Sequence, residues 1–442
     1  MNSTSMHPAA IDALVARIRE FFALAAEEQQ RPAHERSRVT RTFGYEGRGI
    51  ELTPQLEAQF EVMVSAFLKE RSIANDTPRD TVAQRLMNAL LASRTTDSLE
   101  DLVKKVADDL HRDITSFRVY IPVSGVVLES GKTIEFGDIR MVTYDDSSAF
   151  DTEFRRPFLA LQAPGATDAT IRRNEAEYME YLSALTWRPI LVFKVHTSLA
   201  NIRHVVFERV QPIADFWQFC LSTIVTGAWT PSVDYHVSAI TRGMQVFPCI
   251  AEDGSVMSFP VLPGGAPAVP ITDDRLAWLA KLGLLDLCDL FGTSDGDQGD
   301  GIKALIRRSI ENYADGERAT SPRQKLLSFA AASELFFTRR LDTTAAVTHG
   351  IARLLSEADA SKDFDRLRAN AEQMYNARSR VIHDGVAPRS VEVGMYSASA
   401  QRVILEMIKR RADFEDKAAI EAWSAPPPPR ASVVTAEEAG DR

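Results

Sequence analysis

Cysteine is scarce in this chain, with three residues among 442, namely Cys220, Cys249 and Cys288. They are far apart, odd in number and outside any zinc-ligand spacing, so we expect core thiols rather than disulfides or a metal site. No apolar run approaches the roughly 20 residues that a membrane span needs, and the first residues show no signal-peptide pattern. The sequence therefore predicts a cytoplasmic protein that uses no metal ion, no cofactor and no membrane surface.

Positive charge is also in short supply, since the formal net charge is −10. This balance argues against a protein that coats nucleic acid without specificity. The charge is unevenly spread, because residues 301–415 carry 19 Lys and Arg against 15 Asp and Glu, a balance of +4, which leaves the remainder at −14. A local phosphate-binding site is compatible with that distribution.

The pattern of apolar residues predicts an α+β protein that begins with a helical region. Residues 1–115 repeat apolar side chains at helical spacing. Residues 116–270 are richer in β-branched residues and predict an α+β region, a possible sensor. Within it we expect a strand at 190–195, whereas 198–226 has a helical spacing that Pro212 interrupts. The expected hairpins pair 117–127 with 133–143 and 244–250 with 256–262.

Proline and glycine become frequent between residues 260 and 270, which predicts a domain boundary there. Beyond it, residues 271–415 show successive apolar helical patterns with short connections, which is typical of an all-α helical bundle. The expected helices are 276–290, 302–314, 323–340, 344–357, 364–383 and 395–412. Residues 416–442 contain a run of prolines with small and charged residues, a composition that cannot support burial, so we expect a disordered tail.

One arginine in the expected helix 364–383 stands on a face built for burial. At about 100° per residue, Arg378 shares a stripe with apolar residues, namely Leu367, Ala371, Met374, Val381 and Ile382. A charged side chain on such a face requires an acid, a facing subunit or a phosphate as its partner. Arg380, two positions further along the helix, points to the opposite side. We expect it to be an ordinary solvated arginine, with which Arg378 can be compared.

A short motif closes the same helix, in which an arginine and a histidine are separated by four residues. The run is Tyr375-Asn376-Ala377-Arg378-Ser379, followed after three residues by His383. The motif and its helical neighbours resemble the HEPN superfamily and its Apea-like branch over residues 276–412. The resemblance includes Glu334 on an earlier helix, where related proteins often carry a glutamate. It implies a metal-independent endoribonuclease, usually a homodimer, of bacterial toxin or phage-defence systems.

RNA cleavage without a metal needs a base for the 2′-hydroxyl and a cation for the charge that develops on the phosphate. His383 is the expected base, because histidine titrates near neutral pH. Arg378 is the expected cation, and Glu334 is expected to pair with it and position it. The expected substrate-binding residues are Tyr375, Ser379 and Arg380. The residues before the bundle are then a sensing region, triggered by an activating partner or a phage component.

Helix geometry opposes this assignment, because five residues rotate about 140° and place Arg378 and His383 on different faces. Gly385 predicts that the helix ends here, so that its last turn can unwind and bring the histidine round. Asp384 also departs from the family, in which glycine usually follows the histidine. A noncatalytic module that binds RNA or a nucleotide, or only dimerises, therefore stays open. Two structural alternatives stay open as well. In the first, Arg378 forms a structural salt bridge and His383 caps the helix, and in the second, Glu334 is exposed to solvent.

Two further patterns match known functional motifs only in part. Residues 292–296 match the hydrolase nucleophile elbow around Ser294, but an acidic loop follows where a helix should start at once. Residues 295–306 resemble a calcium-binding loop, but a glycine and an isoleucine stand at two of its ligand positions. Neither a serine hydrolase nor an EF-hand is expected.

Overall fold

The structure is a computed structural model. It describes residues 7–31, 39–45, 48–69, 77–92, 99–112, 114–129, 132–143, 189–224, 246–251, 256–260, 269–293, 301–339 and 343–425. The predicted α+β class is confirmed, with helices first, a sheet in the middle and a helical bundle last. Two separate hydrophobic cores organise these elements, one formed by residues 11–110 and the other by residues 117–420.

The N-terminal unit contains four helices and one short hairpin within the described residues. The helices are α1 (Pro8–Gln30), α2 (Pro54–Leu68), α3 (Arg79–Ala92) and α4 (Leu99–Arg112), and the strands are β1 (Arg41–Tyr45) and β2 (Arg48–Leu52). Apolar residues at helical spacing, among them Phe21, Phe60, Phe67 and Leu86, are fully buried in its core. The helical prediction for this region is therefore correct, while the hairpin β1–β2 is an element that the sequence pattern did not reveal.

An antiparallel sheet of six strands forms the middle of the molecule. Its strands are β3 (Ile114–Pro122), β5 (Thr133–Phe136), β6 (Ile139–Thr143), β7 (Pro189–Ser198), β8 (Val246–Ala251) and β9 (Val256–Pro260). The spatial order is β5-β6-β7-β3-β8-β9. Two short strands, β4 (Val126–Leu128) and β10 (Val269–Ile271), pair in parallel beside it. The strand expected at 190–195 is confirmed as part of β7, and the expected pairing of 244–250 with 256–262 is confirmed by the antiparallel strands β8 and β9.

The other expected hairpin is wrong in its pairing. Residues 133–143 fold back on themselves, since Phe136 of β5 pairs with Ile139 of β6 across a two-residue turn. Gly137 in that turn has φ +59°, a conformation that suits a tight hairpin of this kind. Strand β3 instead pairs with β7 and β8. A Gly-Asp pair inside the supposed strand was the local signal for the turn.

The segment 198–226, ambiguous in sequence, is one long helix, α5 (Ile202–Ile224), with Pro212 in its interior. Every residue from 213 to 221 is buried. A helix that is buried on all sides needs neighbours on all sides. The sheet covers α5 through β7, and the C-terminal helices cover the remainder.

The C-terminal part contains the helices that carry the candidate site. They are α6 (Asp273–Lys281), α7 (Cys288–Gly292), α8 (Ile302–Arg318), α9 (Pro322–Glu334), α10 (Thr343–Ala358), α11 (Phe364–His383), α12 (Ser390–Lys409) and α13 (Lys417–Trp423), with a 3₁₀ turn at Leu285–Leu287. Helix α8 packs on α9, α9 on α12 and α10 on α11. The expected bundle is present, and α11 has the predicted bounds.

The domain boundary expected near residue 270 does not separate two cores. One continuous core joins the sheet, α5 and the bundle. The ring centroids of Phe219 on α5 and Tyr313 on α8 are 5.2 Å apart, and the buried carboxylate of Asp215 on α5 is paired with Arg318 on α8. The proline- and glycine-rich stretch 261–268 and the acidic loop 294–300 lie outside the described residues.

The expected disorder of residues 416–442 is wrong for residues 416–425, which include helix α13. Helix α13 is held by the buried Ile420 and by Trp423, whose ring centroid lies 4.9 Å from the Arg353 guanidinium and 4.6 Å from that of Arg410. Arg353 also donates a hydrogen bond to the Trp423 carbonyl. The composition argument failed here because one aromatic residue supplies enough contact. Residues 426–442, with the prolines, lie outside the described part of the chain.

All three cysteines are free and buried, as the sequence predicted. Burial raises the pKa of the Cys288 thiol to about 12 and also raises that of Cys220, so neither is a reactive thiolate at neutral pH. Among the described residues, none of the helices combines the length and the apolar character that crossing a bilayer requires.

Candidate active site at the end of helix α11

Arg378 lies on α11 at the edge of the face that packs into the bundle. Ala371, Met374 and Val381 on that face are buried, while the Arg378 side chain retains 31% of its exposure. Its Nε is 3.3 Å from Oε2 of Glu334. The guanidinium carbon lies 5.4 Å from the centroid of the Tyr375 ring, within the range of a cation–π contact. The expected arginine is thus half-buried, ion-paired and held over an aromatic ring.

Glu334 is the last residue of α9 and is buried, with 5% of its surface exposed. The alternative of a solvated helix edge is therefore wrong. Burial raises the pKa of the Glu334 carboxyl to about 7, and the nearby Arg378 guanidinium opposes this rise. The other carboxylate oxygen, Oε1, is buried and has no hydrogen-bond partner among the described residues. This carboxylate holds Arg378 with only one of its two oxygens.

Glu334→Gln is expected to flatten the pH dependence of stability. The folded pKa of about 7 lies above the ordinary value of 4.5, so the folded state binds more protons between these limits and loses stability as pH rises through them. The loss is about 3 kcal/mol at roughly 1.4 kcal/mol per pH unit. Urea unfolding at pH 5 and pH 8 measures it. A wild-type slope retained in Glu334→Gln would refute the assignment, and Glu372→Gln, at an exposed pair with Arg368, is the matched control.

His383 is the last residue of α11 and is exposed. The helix ends at the predicted position, with Gly385 at φ +66° just beyond it. The last turn is not unwound, because the Asp384 amide donates to the Arg380 carbonyl at 3.0 Å in the regular helical pattern. The predicted unwinding of the last helical turn is therefore wrong, and the angular offset of about 140° between Arg378 and His383 remains. Within one protomer these two side chains leave the helix on different sides.

The remaining expected residues divide between the two sides of α11. Tyr375 supports Arg378, as described, and Ser379 is half-buried beside it. Arg380 is on the other side and donates to Glu392 Oε1 at 2.7 Å. The prediction that Arg380 is a solvated residue is confirmed, because its side chain is 52% exposed. This side chain nevertheless forms an ion pair with Glu392. Ile382, expected in the buried stripe, is 40% exposed.

Helix α12 contributes groups that the sequence analysis missed. The Tyr396 hydroxyl donates to the Met374 carbonyl at 2.6 Å and joins α12 to α11. Glu392 accepts from both Arg380 and Arg389, and its second oxygen accepts from the Arg389 backbone amide. The spacing of Arg389 and Glu392 at the start of a helix was a usable signal, since a glutamate three residues after the N-cap typically caps it.

Comparison of the chain with models of protein families, with curated proteins and with solved structures yields no match. The resemblance to the HEPN superfamily accordingly stays a prediction from the residues of α9 and α11.

Proposed function

We propose that this protein is a metal-independent endoribonuclease of the HEPN type that acts in the cytoplasm as a toxin or phage-defence effector. The observation that supports the proposal is the Arg378 guanidinium, which Glu334 and Tyr375 orient while part of it stays open to solvent. A guanidinium held in this way retains free N–H groups for phosphate oxygens. The residues before the bundle, 1–270, with the α+β region 116–270 as the possible sensor, are the proposed sensing region for an activating partner or a phage component.

In the proposed reaction His383 removes the proton of a ribose 2′-hydroxyl. The 2′-oxygen forms a bond to the adjacent phosphorus, and the bond from phosphorus to the 5′-oxygen of the next nucleotide breaks. Arg378 stabilises the negative charge on the nonbridging oxygens during this exchange. The leaving 5′-oxygen takes up a proton, so the products carry a 2′,3′-cyclic phosphate and a 5′-hydroxyl.

A homodimer is part of the proposal, because a single protomer keeps Arg378 and His383 on different sides of α11. In a two-fold symmetric contact, each protomer presents the same surface to its partner. Arg378 of one protomer can then meet His383 of the other, and two equivalent sites result. Two exposed apolar residues close to His383 in the chain, Ile382 and Val386, are suited to such a contact.

The second candidate is a noncatalytic module that binds RNA or a nucleotide, or serves only for dimerisation. The observation that favours it is the regular helical geometry of His383, together with Asp384 directly after it. In this case Arg378 is a structural partner of the buried Glu334, and the same surface binds without reaction.

Purified protein incubated with total RNA in EDTA distinguishes the two candidates. The enzyme is expected to cut RNA with no divalent cation present, and the fragments are expected to carry 2′,3′-cyclic phosphate and 5′-hydroxyl ends. A terminal phosphate that phosphatase removes only after mild acid has opened it to a 2′- or 3′-monophosphate identifies the cyclic end. RNA that stays intact while it is retained by the protein in a filter-binding assay would support the noncatalytic module instead.

A further inference from the structure

The six-stranded sheet carries a group of polar side chains on the face that is turned away from the core. Its two central strands, β3 and β7, direct alternate apolar residues into the core, namely Phe117, Val119, Phe193 and Val195. Side chains alternate between the two faces of a strand, so the residues between these point the other way. Four of them, Ser116 and Arg118 on β3 with Lys194 and His196 on β7, are half-buried or exposed and form the β3–β7 patch.

The register of the two strands fixes the neighbours within the β3–β7 patch. Ser116 lies directly opposite His196, and Arg118 lies directly opposite Lys194. The Cβ atoms of directly opposite residues are about 4.5–5.5 Å apart, so the four side chains form one compact group. The Ser116 hydroxyl and Nδ1 of His196 are 3.2 Å apart. In the tautomer in which this hydroxyl donates to Nδ1, the ring proton is on Nε2, which can then donate to a ligand.

The two cations of this patch face each other without an acid between them. The side chains of Arg118 and Lys194 form no hydrogen bond or ion pair with any residue in the described part of the chain. Like charges directly opposite each other on neighbouring strands destabilise a sheet, whereas opposite charges stabilise it. Acids are abundant in this chain, which has 61 Asp and Glu against 51 Lys and Arg. Because an anion bound between the two cations would cancel their repulsion, the pair is better suited to a ligand than to the stability of the sheet.

The donors of the β3–β7 patch match a terminal phosphate group. Arg118 offers a planar fork that bonds two oxygens at once, and Lys194 adds a second positive charge. A terminal phosphate carries a charge of about −1.5 to −2 at pH 7 and three strong acceptor oxygens. Each phosphodiester of a nucleic acid carries a single negative charge, so it would leave one of the two cations uncompensated. His196 supplies a further N–H for the third oxygen.

We propose that the β3–β7 patch is a second ligand site, which binds the terminal phosphate of a small molecule through Arg118, Lys194 and His196. The patch shares no residue with the candidate active site on α9 and α11. It lies within residues 116–270, the possible sensor. The inference therefore goes beyond the proposed function and does not depend on RNA cleavage.

Calorimetric titration of the full chain at pH 8 tests the patch with three probes. Inorganic phosphate and adenosine 5′-monophosphate are both expected to bind, whereas the dinucleotide ApA, whose one phosphate is a diester, is expected to bind at least about tenfold more weakly. Arg118→Gln and Lys194→Gln are each expected to weaken phosphate binding about tenfold, the loss of one hydrogen bond between charged groups. Arg366→Gln removes an exposed cation of α11 and is the matched control, with binding expected to be unchanged.

Thermal unfolding separates a ligand site from a structural one and confirms that each variant is folded. In phosphate-free buffer, Lys194→Gln is expected to raise the unfolding temperature, because it removes the repulsion between Lys194 and Arg118. Added phosphate is expected to raise the unfolding temperature of the wild type more than that of Lys194→Gln. A lower unfolding temperature in phosphate-free Lys194→Gln would show that the residue is structural and would overturn the proposal. Phosphate binding that is absent from the wild type or unchanged in both patch variants, or ApA bound as tightly as the monophosphate, would do the same.

Discussion

Arg378→Ala and His383→Ala are each expected to lower the rate of RNA cleavage severely. The loss of a group that stabilises transition-state charge costs about 10²–10³-fold in rate, and the loss of a general base costs about 10²–10⁴-fold. The two effects differ in origin, because His383 accepts a proton in the proposed reaction whereas Arg378 stabilises negative charge.

Two control variants test whether the loss of cleavage is specific to the Arg378 guanidinium. Arg368→Ala removes an exposed arginine of the same helix, whose partner is Glu372, and is expected to leave the rate unchanged. Arg378→Lys keeps the charge but loses the planar fork, so an intermediate rate is expected. Full activity in Arg378→Ala would mean that the pair of Arg378 and Glu334 is purely structural. The rates are measured on a labelled RNA in EDTA.

Arg318→Met is expected to produce the largest loss of stability in the molecule. Arg318 is the cationic partner of Asp215, whose side chain is only 7% exposed where α5 meets α8. Without Arg318, Gln211 is the one side chain in the described part of the protein that still donates to the Asp215 carboxylate, at 2.7 Å. Removal of one member of a buried ion pair costs about 3–5 kcal/mol, and this pair joins the sheet region to the bundle. Asp315→Asn, which removes the exposed partner of Arg318, is the control and is expected to cost under about 1 kcal/mol.

The sign of the pH dependence provides a second check on Arg318→Met. Burial raises the pKa of Asp215 to about 6 from the ordinary 3.8, against the opposing effect of Arg318. Because the folded pKa is above the unfolded one, the protonated form is favoured in the fold, and stability declines as pH rises from 3.8 through 6. The loss of unfolding free energy caused by Arg318→Met, measured by urea unfolding, is therefore expected to be smaller at pH 5 than at pH 8. An equal loss at both pH values would show that the carboxylate is not the source.

Much of the fold follows from local patterns in the sequence. Helix α11 has the bounds that its apolar spacing and Gly385 predicted, and the strand β7 and the hairpin β8–β9 follow from β-branched runs. Pairing between distant strands is different, because it depends on how the sheet as a whole is covered. The turn at Gly137 decided the position of β5, and no local signal placed β3 between β7 and β8.

Sequence periodicity did not predict that the core of residues 117–420 extends from the sheet into the bundle. Helix α5 is surrounded, and the amino-acid pattern of a surrounded helix does not specify which elements surround it. Likewise, the composition of residues 416–425 suggested disorder, but the contact of Trp423 with Arg353 and Arg410 involves residues far apart in sequence.

The candidate site was predictable in part. Glu334 pairs with Arg378 as expected, whereas the contact of Arg378 with the Tyr375 ring was not predicted, since Tyr375 was expected to bind substrate. The raised pKa of Glu334 depends on burial at the end of α9, and the hydrogen bond from Tyr396 to the Met374 carbonyl depends on how α12 packs against α11. Both properties arise from packing between helices, which the spacing of residues along one helix does not contain.

We propose that Arg378 of one protomer and His383 of its partner form one site. Mixing Arg378→Ala protein with His383→Ala protein, after exchange of subunits, tests it most directly. In a mixed dimer one of the two sites has both residues intact, so random exchange is expected to restore about a quarter of the wild-type rate. A mixture as inactive as either variant alone, with fluorescence energy transfer proving that mixed dimers have formed, would contradict the account.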